Sequence, residues 1–292
     1  MKNVRGFWHL FLVSAFCMVL FFGCSSLPKE TVHNSERNSK ASSLMELGHK
    51  YYLAGQYEKA GTCYENALDI HASVDDGALV AMALTSLGRI KTAQGQLDVA
   101  ETYFQQAHLA AQSLNRPELE AQALGGLGTV ELHRGQPMKA ISWLETALEL
   151  PLADPGNTRA TLLHDLGSAH RKLGNMDSAE SYFRLALAMH EPLRNLTGIA
   201  ADCYSLALLH EAEGDYVLAL ENARRALSHD KRTENAPAVA QDLTLLGSLS
   251  LANDELEPAL DYYRRAKLAW QALGREDRVE DIGQTIQRIE SP

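Results

Sequence analysis

The sequence predicts an all-α protein: a right-handed superhelical solenoid of six helical hairpins, finished by a carboxyl-terminal capping helix. Two observations lead there. Hydrophobic residues make up 46% of the 292 positions but aromatics only 7%, a balance that favours aliphatic, Ala-rich helices over sheet. Small residues also recur at Gly48, Gly88, Gly128, Gly167, Ala207 and Gly247, spaced 40, 40, 39, 40 and 40 apart, and such a period marks a stacked array.

The amino terminus reads as an address. Residues 1–23 place Lys2 and Arg5 ahead of an apolar run from Phe7 to Phe22. Those 16 residues would span about 24 Å as a helix. A bilayer core needs roughly 20 residues, so the run fits the apolar region of a signal peptide. Gly23, Cys24 and Ser25 follow, then a polar stretch with Pro28 and several Ser, which reads as a flexible tether over 24–41. A small residue before a Cys at the end of such a run resembles the lipobox of bacterial lipoproteins. That resemblance implies cleavage before Cys24 and acylation of Cys24 by chains of the palmitate type. With Ser25 rather than Asp next, it also implies sorting to the outer membrane, facing the periplasm. This chain departs from the family pattern in having Phe21 and Phe22, with Leu20 one place early. Once cleaved, the protein would carry 25 basic against 37 acidic residues, so the lipid alone would provide membrane attachment.

The six units occupy 42–274. Seven residues after each small anchor comes a turn residue: Gly55, Gly95, Gly135, Gly174, Gly214 and, last, Asp254. Twelve after is always Ala, from Ala60 to Ala259, and another Ala follows seven later. Leu44, Leu47 and Tyr51 are three and four apart, so they share a helical face. The turn Gly ends that helix. The anchor, lacking bulk, is expected to let the second helix approach closely. One hairpin cannot cover its apolar face, so stability resides in the contacts between neighbours. Pro137 suits the first turn of a helix, and the stretch bounded by Pro151 and Pro155 predicts an irregular bend between units three and four. Over 275–292, Val279, Ile282, Ile286 and Ile289 fall 3, 4 and 3 apart, the pattern of a capping helix.

The segments GQYEKAGTCYENAL, GQLDVAETYFQQAH, GNMDSAESYFRLAL and GDYVLALENARRAL resemble second-helix openings of the tetratricopeptide repeat. The resemblance covers about 42–272, with a period of 40 where the family usually has 34. It implies a superhelix whose concave face, lined by the first helices, binds proteins or peptides.

Chemistry is sparse. A net charge of −10 argues against nucleic-acid binding, which needs many phosphate-neutralising cations. The four Cys form no CxxC pair, so neither a zinc module nor a disulfide framework is expected. Cys63 and Cys203 are expected to be free and buried. The His residues have no HExxH or i, i+4 arrangement with a third ligand. Gly125-Gly126-Leu127-Gly128 lacks the Lys-Ser or Lys-Thr of a phosphate loop and is read as packing, as are Trp143 and Trp270. No nucleophile–base set stands out, so neither an enzyme nor a cofactor or metal site is expected.

The family's inner stripe maps onto His49, Tyr52, Arg89, Gln122, His133, His164, Arg171, Lys172, Tyr204, Glu211 and Gln241, with Met45 at the amino-terminal end. This set is net basic and rich in hydrogen-bonding groups, suited to a carboxylate-bearing peptide. The same polarity is also what a solvent-facing scaffold would show. The Lys and Asn clamp of chaperone-binding tetratricopeptide domains is absent. The expected function is that of an outer-membrane-anchored periplasmic adaptor for an envelope protein, of the pilus, secretin or cell-wall machinery type. The alternative is a regulator whose superhelix closes on a peptide or cell-wall fragment and so controls an enzyme. A third reading is a plain spacer.

Overall fold

The computed structural model describes residues 29–152 and 156–291. The proposed signal segment, Cys24, and positions 153–155 of the expected bend lie outside them. Within the described residues thirteen helices run in order: α1 Lys29–Leu53, α2 Tyr57–Ser73, α3 Gly77–Ala93, α4 Leu97–Ser113, α5 Pro117–His133, α6 Pro137–Leu148, α7 Gly156–Lys172, α8 Met176–Leu193, α9 Leu196–Glu213, α10 Tyr216–Arg232, α11 Ala236–Ala252, α12 Leu256–Ala272 and α13 Glu276–Glu290. No strand occurs among the described residues. The first twelve helices form six consecutive hairpins, and α13 packs on α12. Part of the expected tether is helical, since α1 begins at Lys29. Nothing between Pro28 and Gly48 breaks a helix, and Ala41 is fully buried.

The turn between the paired helices follows from the sequence. Gly55 adopts φ +72°. The amide of Gln56 then reaches Tyr51 O at 2.8 Å, and that of Gly55 reaches Tyr52 O at 3.0 Å, which satisfies two terminal carbonyls. The same left-handed residue recurs in every unit through Asp254, φ +60°. Connections between units use it too, but there non-glycine residues supply it, among them Asp75, Asn115, Arg194 and Glu234. Asp76, Asn195, Asp215 and Asn235 cap the helices that follow, each accepting from a backbone N–H three residues on.

The anchors do something more specific than thin the crossing. A Cβ on Gly88 would sit 2.8 Å from the Phe104 ring, one on Gly167 2.7 Å from Phe183, and one on Gly247 2.8 Å from Tyr263. Each glycine holds a recess for a ring sixteen residues later. Where the anchor is Ala207, the facing position is Ala223, so bulk is given up on the other helix. Phe104 fills a second recess as well: a Cβ on Gly126, in the next unit, would meet it at 2.2 Å. The Gly125-Gly126 pair is thus packing, as expected.

Curvature arises because neighbouring first helices touch each other: α3 meets α5, α5 meets α7 and α7 meets α9. Adjacent second helices make no comparable contact, so the first helices line the concave side. Cys63 and Cys203 are free, buried thiols. Trp270 is buried, and Trp143, on the 12-residue α6, is 39% exposed.

The array closes on itself. A Cβ on Gly55, in the turn of the first hairpin, would lie 2.7 Å from Leu273 Cδ2 and 3.1 Å from Pro237 Cγ, both in the sixth unit. A cavity of about 620 Å³ between these ends is lined by Tyr57, Glu58 and Gln94 on one side and by Trp270, Leu273 and Arg275 on the other. Six units complete one turn of the superhelix.

Candidate functional site

A groove of about 850 Å³ runs from Tyr52 in α1 to Thr197 in α9. First helices position its walls because their small anchors sink into the core and turn the neighbouring positions inward. Four of the expected stripe residues, Tyr52, Arg89, Gln122 and His133, line this groove together. Tyr204 and Gln241 belong to a second cavity near the carboxyl terminus. His49, exposed on α1, lines neither.

Sequence reasoning missed several groove residues. Thr129 and Asp165 hydrogen-bond across units (Oγ1 to Oδ2, 3.3 Å). Asn195 Nδ2 donates to Asn157 Oδ1 at 3.1 Å, and Gln122 Nε2 donates to Thr158 Oγ1 at 3.4 Å. These links join residues 36 to 38 positions apart, so each crosses to the neighbouring unit, two to four residues short of a full repeat.

His164 belongs to the wall as much as to the groove. Its Nδ1 lies 2.7 Å from Asp202 Oδ1, and His190 Nδ1 lies 2.8 Å from Asp202 Oδ2. Asp202 is fully buried and His190 nearly so. Burial works against a charge on His164, but the hydrogen bond and charge of Asp202 outweigh it and raise its pKa.

The electrostatics of the inner face are lopsided. Arg89, Arg171 and Lys172 form no ion pair among the described residues, and Arg171 Nε is buried without a partner. Each nearby carboxylate is occupied or weakened. Asp202 is shared by two imidazoles, and burial raises Asp165. Burial also raises Glu211, which accepts from Ser248 Oγ at 3.5 Å. Burial and the Lys172 charge lower the pKa of His133. Cations without partners facing suppressed acids make a surface that attracts carboxylates. Among the described residues, no three His, Cys, Asp or Glu side chains are arranged to hold a metal ion, and no helix is long and apolar enough to cross a membrane.

Compared with known families, the sequence matches the tetratricopeptide repeat over residues 39–113 and 119–191. The chain belongs to the tetratricopeptide repeat family. No match is found among curated protein sequences. Among solved structures, a Rap protein complexed with competence and sporulation factor is similar at 18% identity and TM-score 0.62, covering 86% of this chain and 74% of its own. The Rap conjugation gene regulator of plasmid pLS20, in complex with the Phr* peptide, is similar at 17% and 0.65, over 82% of this chain and 64% of its own. PilW, a type IV pilus biogenesis factor, is similar at 18% and 0.50, over 83% of this chain and 97% of its own. At these identities the likeness is one of fold.

Proposed function

We propose that this protein is a lipid-anchored periplasmic adaptor. Cys24 holds it at the outer membrane, and its inner groove captures a carboxylate-bearing segment of an envelope protein. The observation that carries the binding half is the set of cations without partners, Arg89, Arg171 and Lys172, on a face whose own carboxylates are bonded or pushed toward neutrality. The anchoring half rests on the sequence of residues 1–25. Binding without turnover would raise the local concentration of a partner at the membrane. PilW carries the same fold and serves pilus assembly, which is compatible with an envelope role. The alternative, a ligand-responsive regulator, draws on the competence and sporulation factor and the Phr* peptide bound in the two Rap structures and on the contact between the first and sixth units.

In-cell photocrosslinking from Gln122 and Arg89, with exposed Thr62 on α2 as control, tests the groove. One protein trapped by the two groove positions and not by the control is the expected result. Equal trapping at all three would make the inner face a solvated scaffold. Cys24→Ala should release the protein from the membrane fraction; unchanged fractionation would sink the anchor.

A further inference from the structure

The capping helix does more than finish the solenoid. With α11 and α12 it encloses a cavity of about 440 Å³ at the end of the inner face, separate from the central groove. That size lies in the range of ligand sites, roughly 300–1,000 Å³. Its floor is apolar: Leu245, Tyr263, Trp270 and Ile282 are each under a tenth exposed. Trp270 Nε1 already donates to Thr244 Oγ1 at 3.0 Å, so the indole offers the cavity its ring and not its donor.

The rim is polar and unspent. The hydroxyls of Tyr204 and Tyr263 have no hydrogen-bond partner among the described residues. Arg278 has no carboxylate partner there either, and its guanidinium stands 5.9 Å from the Trp270 ring centroid. Burial raises the Tyr204 pKa, and the charges of Arg171 and Arg278 act on it in the opposite direction. Of the acids around it, Asp242 keeps its proton to about 9, and Ser248 occupies Glu211. Asp281 is the exception. It lies three residues beyond Arg278 and lines the same cavity, and its carboxylate, without an ion-pair partner among the described residues, can accept one N–H.

We propose that this cavity binds the carboxyl-terminal residue of a peptide, with an apolar side chain on the aromatic floor. The α-carboxylate lies on Arg278 and the Tyr204 hydroxyl, and the α-amide N–H donates to Asp281. A charged carboxylate on a guanidinium supplies the strong contact, and the apolar floor gives side-chain preference. This rests on the reading of the inner face as a peptide-binding surface and adds where the bound chain ends.

The test is a ligand-observed NMR titration of the full chain with three probes: N-acetyl-L-phenylalanine, its carboxamide, and free L-phenylalanine. The acetylated acid should bind, and the carboxamide at least about tenfold more weakly. Arg278→Gln should reproduce that loss, and Arg278→Lys should restore part of it. Thr285→Trp, which puts bulk into the cavity lining, should abolish binding. Equal affinity for the carboxamide would overturn the carboxylate assignment. Free phenylalanine binding as tightly as the acetylated form would overturn the peptide assignment. No binding by any probe would overturn the site. These probes are too small to span the central groove, so failure here leaves the crosslinking test of that groove standing.

Discussion

One repeat position decides the titration behaviour of two junctions. His190 and Asp230 stand 40 residues apart at the ends of α8 and α10, and Asp202 and Asp242 stand 40 apart on the helices packed against them. At the first junction two imidazoles share one buried carboxylate. At the second, two carboxyls meet with Asn235 as the donor to Asp230 at 3.3 Å, so a proton must stay between them. Burial, reinforced by Asp230, pushes Asp242 to about 9, and burial raises Asp230 to about 6. The folded state therefore holds a proton on Asp242 that the unfolded chain releases above its ordinary 3.8. Stability falls as pH climbs from there to about 9. Asp242→Asn keeps a donor toward Asp230 and carries no charge. It should stabilise the protein by more than about 1 kcal/mol at pH 8, an upward Tm shift of roughly 2–4 °C, and by less at pH 5; circular-dichroism melts at the two pH values check it. The first junction has the same sign, in a window that begins at the ordinary imidazole value. His164, raised by Asp202 against the pull of burial, contributes stability that is complete below its ordinary pKa and fades as pH rises through the folded one. Neither network was visible in the sequence. Each joins a helix end to a helix of the next unit, and an Asp among Leu and Ala carries no local sign of its partner.

Helices were far more legible. The 40-residue period, the turn glycines and the Ala positions gave the hairpins and their order, because each expresses a local rule of helix ending or crossing. The start of α1 was not legible, since polar composition suggested a tether where a helix runs on. The anchor's exact duty also escaped, because a recess is defined by the ring that enters it. Phe104 shows how tightly this is built, lying against Gly88 of its own hairpin and Gly126 of the next. Gly126→Ala gains helix propensity of about 1 kcal/mol in isolation. Here its methyl would overlap a ring that has no second place to go, and the net result should be destabilisation of about 1–3 kcal/mol. Phe104→Leu should relieve the overlap, so a double-mutant cycle by denaturant melts should show coupling of at least about 0.5 kcal/mol. Additive effects would mean that the ring moves freely.

At the scale of the molecule, the contact of Gly55 with Leu273 and Pro237 sets the bore of the superhelix. The contact is small and apolar, with Arg275 close enough for its charge to oppose the burial that raises Tyr57. Leu273→Asp should part the ends. Small-angle scattering would then show a larger radius of gyration with the helical circular-dichroism signal intact; an unchanged radius would mean the stacked units alone hold the curvature. Candidate-site residues were half legible at this scale. The stripe gave the inward positions of first helices, but which of them share one hollow depends on how far the array curls.

A joined bracelet also imposes a rule of entry. A short peptide or a chain with a slim free end can thread the bore from either face. A segment flanked by folded domains on both sides has no end to offer and must wait for the joint to part. Its association rate would level off with concentration at the opening rate of the joint, whereas that of a free-ended peptide would keep rising.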